Sequence, residues 1–239
     1  MNRMKKFLFV LSILLLSRLY AQDSLFSNES FIISLKGINL YVENLEGKLV
    51  FESSFNNPNG NVTDLDNDGY TEFILNDYLI RDGRKYYYTY LYNTIDSFYL
   101  IDSIYSGLKQ PYLIYSDELS EEILVTGTPD TDTLNTTQSF KIFSPLICWG
   151  FTDNQFGIVN DKLYDIFIDE NNNNIDYIDS LYRKYGKNCS TTIMLRAAIA
   201  AVFINYIYAD ESTVADKTFN KYYNCEDKEK FKEAIKKLL

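Results

Sequence analysis

The sequence predicts an α+β protein, with an antiparallel β sandwich, barrel or partial blade array over residues 22–168 and a helical segment over 169–239. Three observations predict it. Short runs of β-branched and aromatic residues, broken by Gly, Asn and Asp turns, recur from Ser24 to about Phe167. After Asp169 the apolar residues fall at helical spacing instead. Between two strand-like runs sits an acidic loop, Asp64 to Glu72, with carboxylates at positions 1, 3, 5 and 9 and a glycine at position 6.

Residues 1–21 are set apart from the fold. Arg3, Lys5 and Lys6 form a basic start, Phe7 to Leu16 is almost purely apolar, and Leu19-Tyr20-Ala21 ends on a small residue. This is the pattern of a secretory signal peptide. The apolar run is shorter than the roughly 20 residues a membrane span requires. The expectation is export to the periplasm, cell surface or extracellular space, with no stable membrane insertion once the leader is cleaved.

Strands are expected at Ile32 to Leu35 and Ile38 to Val42, around the turn Lys36-Gly37, and at Leu49 to Phe51 after Glu46-Gly47. Asn56 to Asn61 has the composition of a loop. Phe73 to Leu75 leaves the acidic loop as a short apolar strand, and Arg81 to Arg84 marks a turn before Tyr86 to Tyr92 and Phe98 to Ile101. Tyr112 to Tyr115, Ile123 to Val125, Phe140 to Phe143, Leu146 to Gly150 and Phe156 to Val159 complete the strand-like runs, with a polar loop at Pro129 to Thr137. Tyrosine, isoleucine and phenylalanine suffice for a core, the tyrosine hydroxyls lying at its rim. A full propeller is not expected, because roughly 145 residues of such sequence would have to supply at least four four-stranded blades.

Helices are expected at Asp176 to Tyr185, Thr191 to Ala209, Thr213 to Tyr223 and Asp227 to Leu238. The last carries Phe231, Ala234, Ile235 and Leu238 on one stripe, acids in its first turn and lysines in its last, as the helix dipole favours. Asp169 to Asp176 reads as a polar loop; it offers oxygens at positions 1, 3 and 5, but Tyr177 stands at position 9.

Composition excludes several chemistries. The 239 residues include no histidine, which removes His-dependent nucleophilic triads, general bases and the usual catalytic zinc ligands. The net charge is −10; without residues 1–21, which hold four basic residues and no acid, 19 basic residues face 33 acidic ones, a charge of −14. Nucleic acid and anionic membranes need a positive footprint, so neither is an expected partner. The three cysteines form no Cys-x-x-Cys; Cys189 and Cys225 are candidates for a disulfide, with Cys148 left buried beside Trp149.

The acidic loop is the candidate site. A hard cation such as calcium takes six to eight oxygens, and alternating acids on a tight loop aim several at one point. Gly69 stands where the chain must turn sharply. An EF-hand is excluded, since position 12 is Leu75 rather than a glutamate and the flanks are β-like. The run Val62 to Leu75 resembles the calcium-loop signature of FG-GAP and VCBS-type repeats, in which such a loop joins two antiparallel strands. Tyr86 to Tyr92 and Phe98 resemble the next strands of that unit. The resemblance implies that Asp64, Asp66, Asp68 and Glu72 ligate calcium by side chain and Tyr70 by its carbonyl. Glu72 departs from the usual aspartate.

No catalytic or organic-cofactor residues are identified. The expected function is a secreted, non-catalytic calcium-binding β protein that binds protein or glycan in the cell envelope or outside the cell. A carboxylate-dependent secreted hydrolase and a structural component of a larger surface assembly are the alternatives.

Overall fold

The computed structural model describes residues 24–135 and 141–239. The expected leader lies outside them. Twelve strands form three antiparallel sheets of four, each a meander in chain order. The first holds β1 (Ser24–Ser27), β2 (Phe31–Lys36), β3 (Asn39–Asn44) and β4 (Leu49–Ser54). The second holds β5 (Asn59–Thr63), β6 (Glu72–Arg81), β7 (Arg84–Asn93) and β8 (Tyr99–Gly107). The third holds β9 (Tyr112–Ser116), β10 (Glu121–Gly127), β11 (Leu146–Thr152) and β12 (Gln155–Ile158). Among the described residues none of these sheets closes into a barrel. The α+β expectation is met as consecutive four-stranded meanders followed by helices α1 (Tyr164–Tyr185), α2 (Cys189–Met194), α3 (Arg196–Tyr208), α4 (Ser212–Tyr222) and α5 (Lys228–Lys236).

The layers follow from side-chain alternation. Successive residues of a strand point to opposite faces. Phe73 and Leu75 of β6 therefore pack with Tyr92 against Ile33, Leu35, Leu40 and Val42 of the first sheet. Ile74 and Leu91 point the other way and meet Leu65, Ile101, Leu113, Phe151 and Phe156. A strand covered on both faces reads as an unbroken apolar run, as Phe73-Ile74-Leu75 does. The far face of the third sheet, through Ile123, Val125, Leu146 and Cys148, packs on Leu163, Phe167 and Ala209 at the edge of the helical segment. α3 lies inside the helices and is buried from Ala197 to Tyr206. A helix apolar all round belongs in a core.

Several expected boundaries are corrected. Asn59 to Asn61 is strand, not loop: with Val62 and Thr63 it pairs along β6, and Gly60 lies under Phe73, whose ring would be 2.8 Å from an added Cβ. Within the expected loop from Pro129, Pro129–Leu134 forms a 3-10 helix; residues 136 and 137 lie outside the described residues. The strand expected at Phe140 to Phe143 is not present over its described part, 141–143. Instead Phe143 enters the helical core. Its backbone is held by the Asn135 amide, which donates from Nδ2 to Phe143 O at 2.8 Å and accepts from Phe143 N at 2.9 Å. Asp169 to Asp176 is helix within α1, not loop, because Asn171 and Asn174 turn inward while Asn172 and Asn173 stay in solvent. The helix expected from Thr191 to Ala209 is two, broken at Leu195, where ψ moves to 6°.

A buried amide network joins sheet to helices. Asn205 of α3 accepts from Leu146 N at 2.9 Å and donates to Asn171 Oδ1 at 3.2 Å; Asn171 donates to Val202 O at 3.2 Å. Cys189 and Cys225 form a disulfide with Cα atoms 5.5 Å apart. Cys148 is free and buried, and burial pushes its thiol up to about 12. Among the described residues no helix is long and apolar enough to cross a membrane.

The fold sorts the four Asn-x-Ser/Thr triplets. Asn28 and Asn135 spend their amides on internal hydrogen bonds, and Asn188 caps α2 by accepting from Thr191 N. Asn61 is exposed and, alone of the four, has its amide in no internal bond among those described. Secreted from a glycosylating eukaryotic host, the folded chain should carry glycan at Asn61 and none at Asn135; intact-mass analysis of Asn61→Gln reads this directly.

Candidate metal centre

The loop from Asp64 to Thr71 joins β5 to β6 at one end of the middle sheet. Its course is set by its own acids. Asp64 accepts from Asp68 N at 3.1 Å and Gly69 N at 2.9 Å, Asp66 accepts from Asp68 N at 3.2 Å, and Asp68 accepts from Tyr70 N at 2.8 Å. Short acidic side chains favour such local bonds to following backbone. Asn67 and Gly69 take positive φ, 57° and 90°, which Asn tolerates and Gly adopts without cost.

One apolar residue anchors the loop. Leu65 is fully buried between the second and third sheets, and its backbone N donates to Glu72 Oε2 at 2.9 Å. Glu72 is only 2% exposed. From outside, Thr94 Oγ1 donates to Thr71 O, and Asn28 Nδ2 donates to Thr94 Oγ1 at 2.7 Å, tying the loop to the first sheet. Thr63 Oγ1 bonds Glu122 Oε2 of the third sheet. Nothing in the sequence marks Leu65, Thr94 or Asn28 as supports of this loop, since Leu65 packs against the third sheet and Thr94 and Asn28 stand 23 and 66 residues from their partners.

Of the five sequence-predicted residues, Asp64, Asp66 and Glu72 are brought together: one carboxylate oxygen from each lies within 4.8 Å of the other two. Oxygens bound to one calcium at 2.3–2.6 Å are at most about 5 Å apart, so the spread suits a single ion. The Asp68 carboxylate stands outside this group. The Tyr70 ring is exposed and takes no part in it, while its backbone N donates to Asp68.

Burial pushes the Glu72 carboxyl up to about 7; the Leu65 N–H opposes that shift, and the charges of Asp66 and Asp68 add to it. Asp66 is raised as well, by burial and by the charges of Asp68 and Asp64. Like charges crowded in a half-buried place disfavour ionisation, and a cation reverses the sign of that effect. Asp66, Asp68 and Glu72 open onto a cavity of about 380 Å³ whose walls include Tyr99, Phe151 and Phe156. Chemically, the arrangement can hold a hard cation with open positions toward the cavity, or keep one carboxylic acid protonated beside another carboxylate.

Comparison of the chain with family models, with curated proteins and with solved structures found no match.

Proposed function

We propose that Asp64 to Glu72 binds calcium through the side chains of Asp64, Asp66 and Glu72, with Asp68 and the Tyr70 carbonyl joining them when the ion is bound, in an exported, non-catalytic protein that binds protein or glycan. The observation that carries this reading is the convergence of Asp64, Asp66 and Glu72 within 4.8 Å. The likeness to FG-GAP and VCBS-type loops supports it, as does the loop's place between two antiparallel strands. Calcium would neutralise the crowded acids and lock β5 to β6. Its remaining positions would face the cavity, where Asn93 and Asn154 amides and the Tyr99 ring offer what a sugar's hydroxyls and apolar face require.

The hydrolase alternative draws on one specific observation. Glu72, held near pH 7 as an acid, and Asp66 share a cavity, which is the pairing that glycosidic chemistry uses. Four acids wound around one turn favour the cation over a two-carboxylate pair.

A glycan array probed with the folded chain separates the two. The binding reading expects retention in calcium, release by chelator, loss with Asp66→Ala, and no cleavage of the bound glycan. Cleavage that persists in chelator and vanishes with Glu72→Gln would establish the hydrolase instead.

A further inference from the structure

A second concave surface lies at the edge of the third sheet. Among the described residues β9 is an edge strand of the third sheet, paired on one side with β10 and on the other with no strand. Its residues Tyr112 and Ile114 lie opposite Val125 and Ile123 in the ladder, so they share the sheet face that α1 covers. Between this edge and α1 is a cleft of about 420 Å³. Tyr112, Ile114 and Tyr115 are all exposed there.

The cleft is acidic on both walls. Asp117 and Glu118 come from the turn after β9, and Asp165, Asp169 and Glu170 from α1. Among the described residues only Glu170 of these five has an ion pair, with Lys109 at 3.0 Å. That lysine also lies 5.7 Å from the Tyr112 ring centre, so an ammonium already bridges the helix wall and the strand. It shows what kind of group this cleft accepts. These carboxylates do not form a metal-sized group; among the described residues that convergence occurs only at Asp64, Asp66 and Glu72. The complementary ligand is therefore an extended chain of separated positive charges.

We propose that this cleft binds an extended, lysine- or arginine-rich peptide segment of a partner protein, which adds to β9 as a fifth strand beneath α1. An edge strand supplies main-chain hydrogen bonds to such a segment, and pockets for alternate side chains supply selectivity. The spacings agree. Alternate residues of a strand repeat at about 6.8 Å, and helix positions four apart, as Asp165 and Asp169 are, repeat at about 6 Å. Two alternate side chains of the peptide thus meet Asp165 and Asp169, which selects basic residues at positions i and i+2. This surface is separate from the calcium loop, and its occupancy does not depend on it.

The test is fluorescence anisotropy with a labelled Lys-Thr-Lys-Thr-Lys peptide at about 0.1 M salt, in the presence of chelator so that the loop plays no part. The peptide is expected to bind the full chain, and a Glu-Thr-Glu-Thr-Glu peptide is not. Asp165 and Asp169 are exposed, so Asp165→Asn with Asp169→Asn should leave the circular dichroism spectrum unchanged. Affinity should fall about tenfold, as loss of two exposed ion pairs implies. Methylating alternate peptide nitrogens should weaken binding in one register and not in the other. No binding of the basic peptide, equal binding by the double variant, equal affinity for spermine, or indifference to both methylation patterns would overturn the proposal.

Discussion

Replacing Asn205 by alanine lowers the unfolding free energy by about 2–6 kcal/mol, read from urea denaturation followed by circular dichroism. The side chain is fully buried and satisfies two groups in different layers, the Leu146 N–H at the start of β11 and Asn171 Oδ1 on α1. Removing it leaves a buried donor and a buried acceptor without partners, and each costs about 1–3 kcal/mol. Hydrogen exchange at the Leu146 amide should accelerate with it. Asn174 supplies the contrast. It is 1% exposed, and neither amide atom has a partner among the described residues, so Asn174→Leu should be neutral or stabilising. Equal losses at the two positions would show that the amides act only by filling space.

Reducing the Cys189–Cys225 disulfide, or replacing both cysteines by serine, should cost about 4 kcal/mol. The bridge spans 36 residues, and the loop-entropy relation gives roughly that figure for a loop of such length. For a chain of this size about 4 kcal/mol lowers Tm by roughly 8–16 °C. The bridge joins the start of α2 to the segment between α4 and α5, so the helical segment should melt first. Protease cuts should appear after Tyr185 before they appear in the sheets. Cys148 should stay unlabelled by thiol reagents until the chain unfolds, because it is buried and its thiol is held protonated.

The parts of the fold that local pattern controls were legible in the sequence. The turns at Lys36-Gly37 and Asp82-Gly83 carry glycines at φ 61° and 72°, and the aromatic run from Tyr86 became the centre of a ten-residue strand. What was not legible depended on partners distant in sequence. Asn59 to Asn61 has loop composition and becomes strand because β6 supplies the ladder and Gly60 admits the Phe73 ring. Phe140 to Phe143 has strand composition, yet at Phe143 the Asn135 side chain takes the bonds a neighbouring strand would make. The asparagine run at 171–174 hides a helix, because the partner that draws Asn171 inward is Asn205, 34 residues further on. At the candidate site, spacing alone named the acids. Glu72 stood out in the sequence only as an atypical fourth ligand, whereas the fold makes it the buried member of the group.

The central proposal is that Asp64 to Glu72 binds calcium, and a thermal melt tests it most directly. The chain without residues 1–21 would be melted in calcium and in chelator, beside Asp66→Ala and Glu72→Gln. Calcium at a hundredfold excess over its Kd stabilises the folded state by about 2.7 kcal/mol, which for a chain of this size raises Tm by roughly 5–11 °C. The account predicts that rise in the wild type and its absence in both variants. A wild-type Tm indifferent to calcium, or a rise that both variants retain in full, would contradict it.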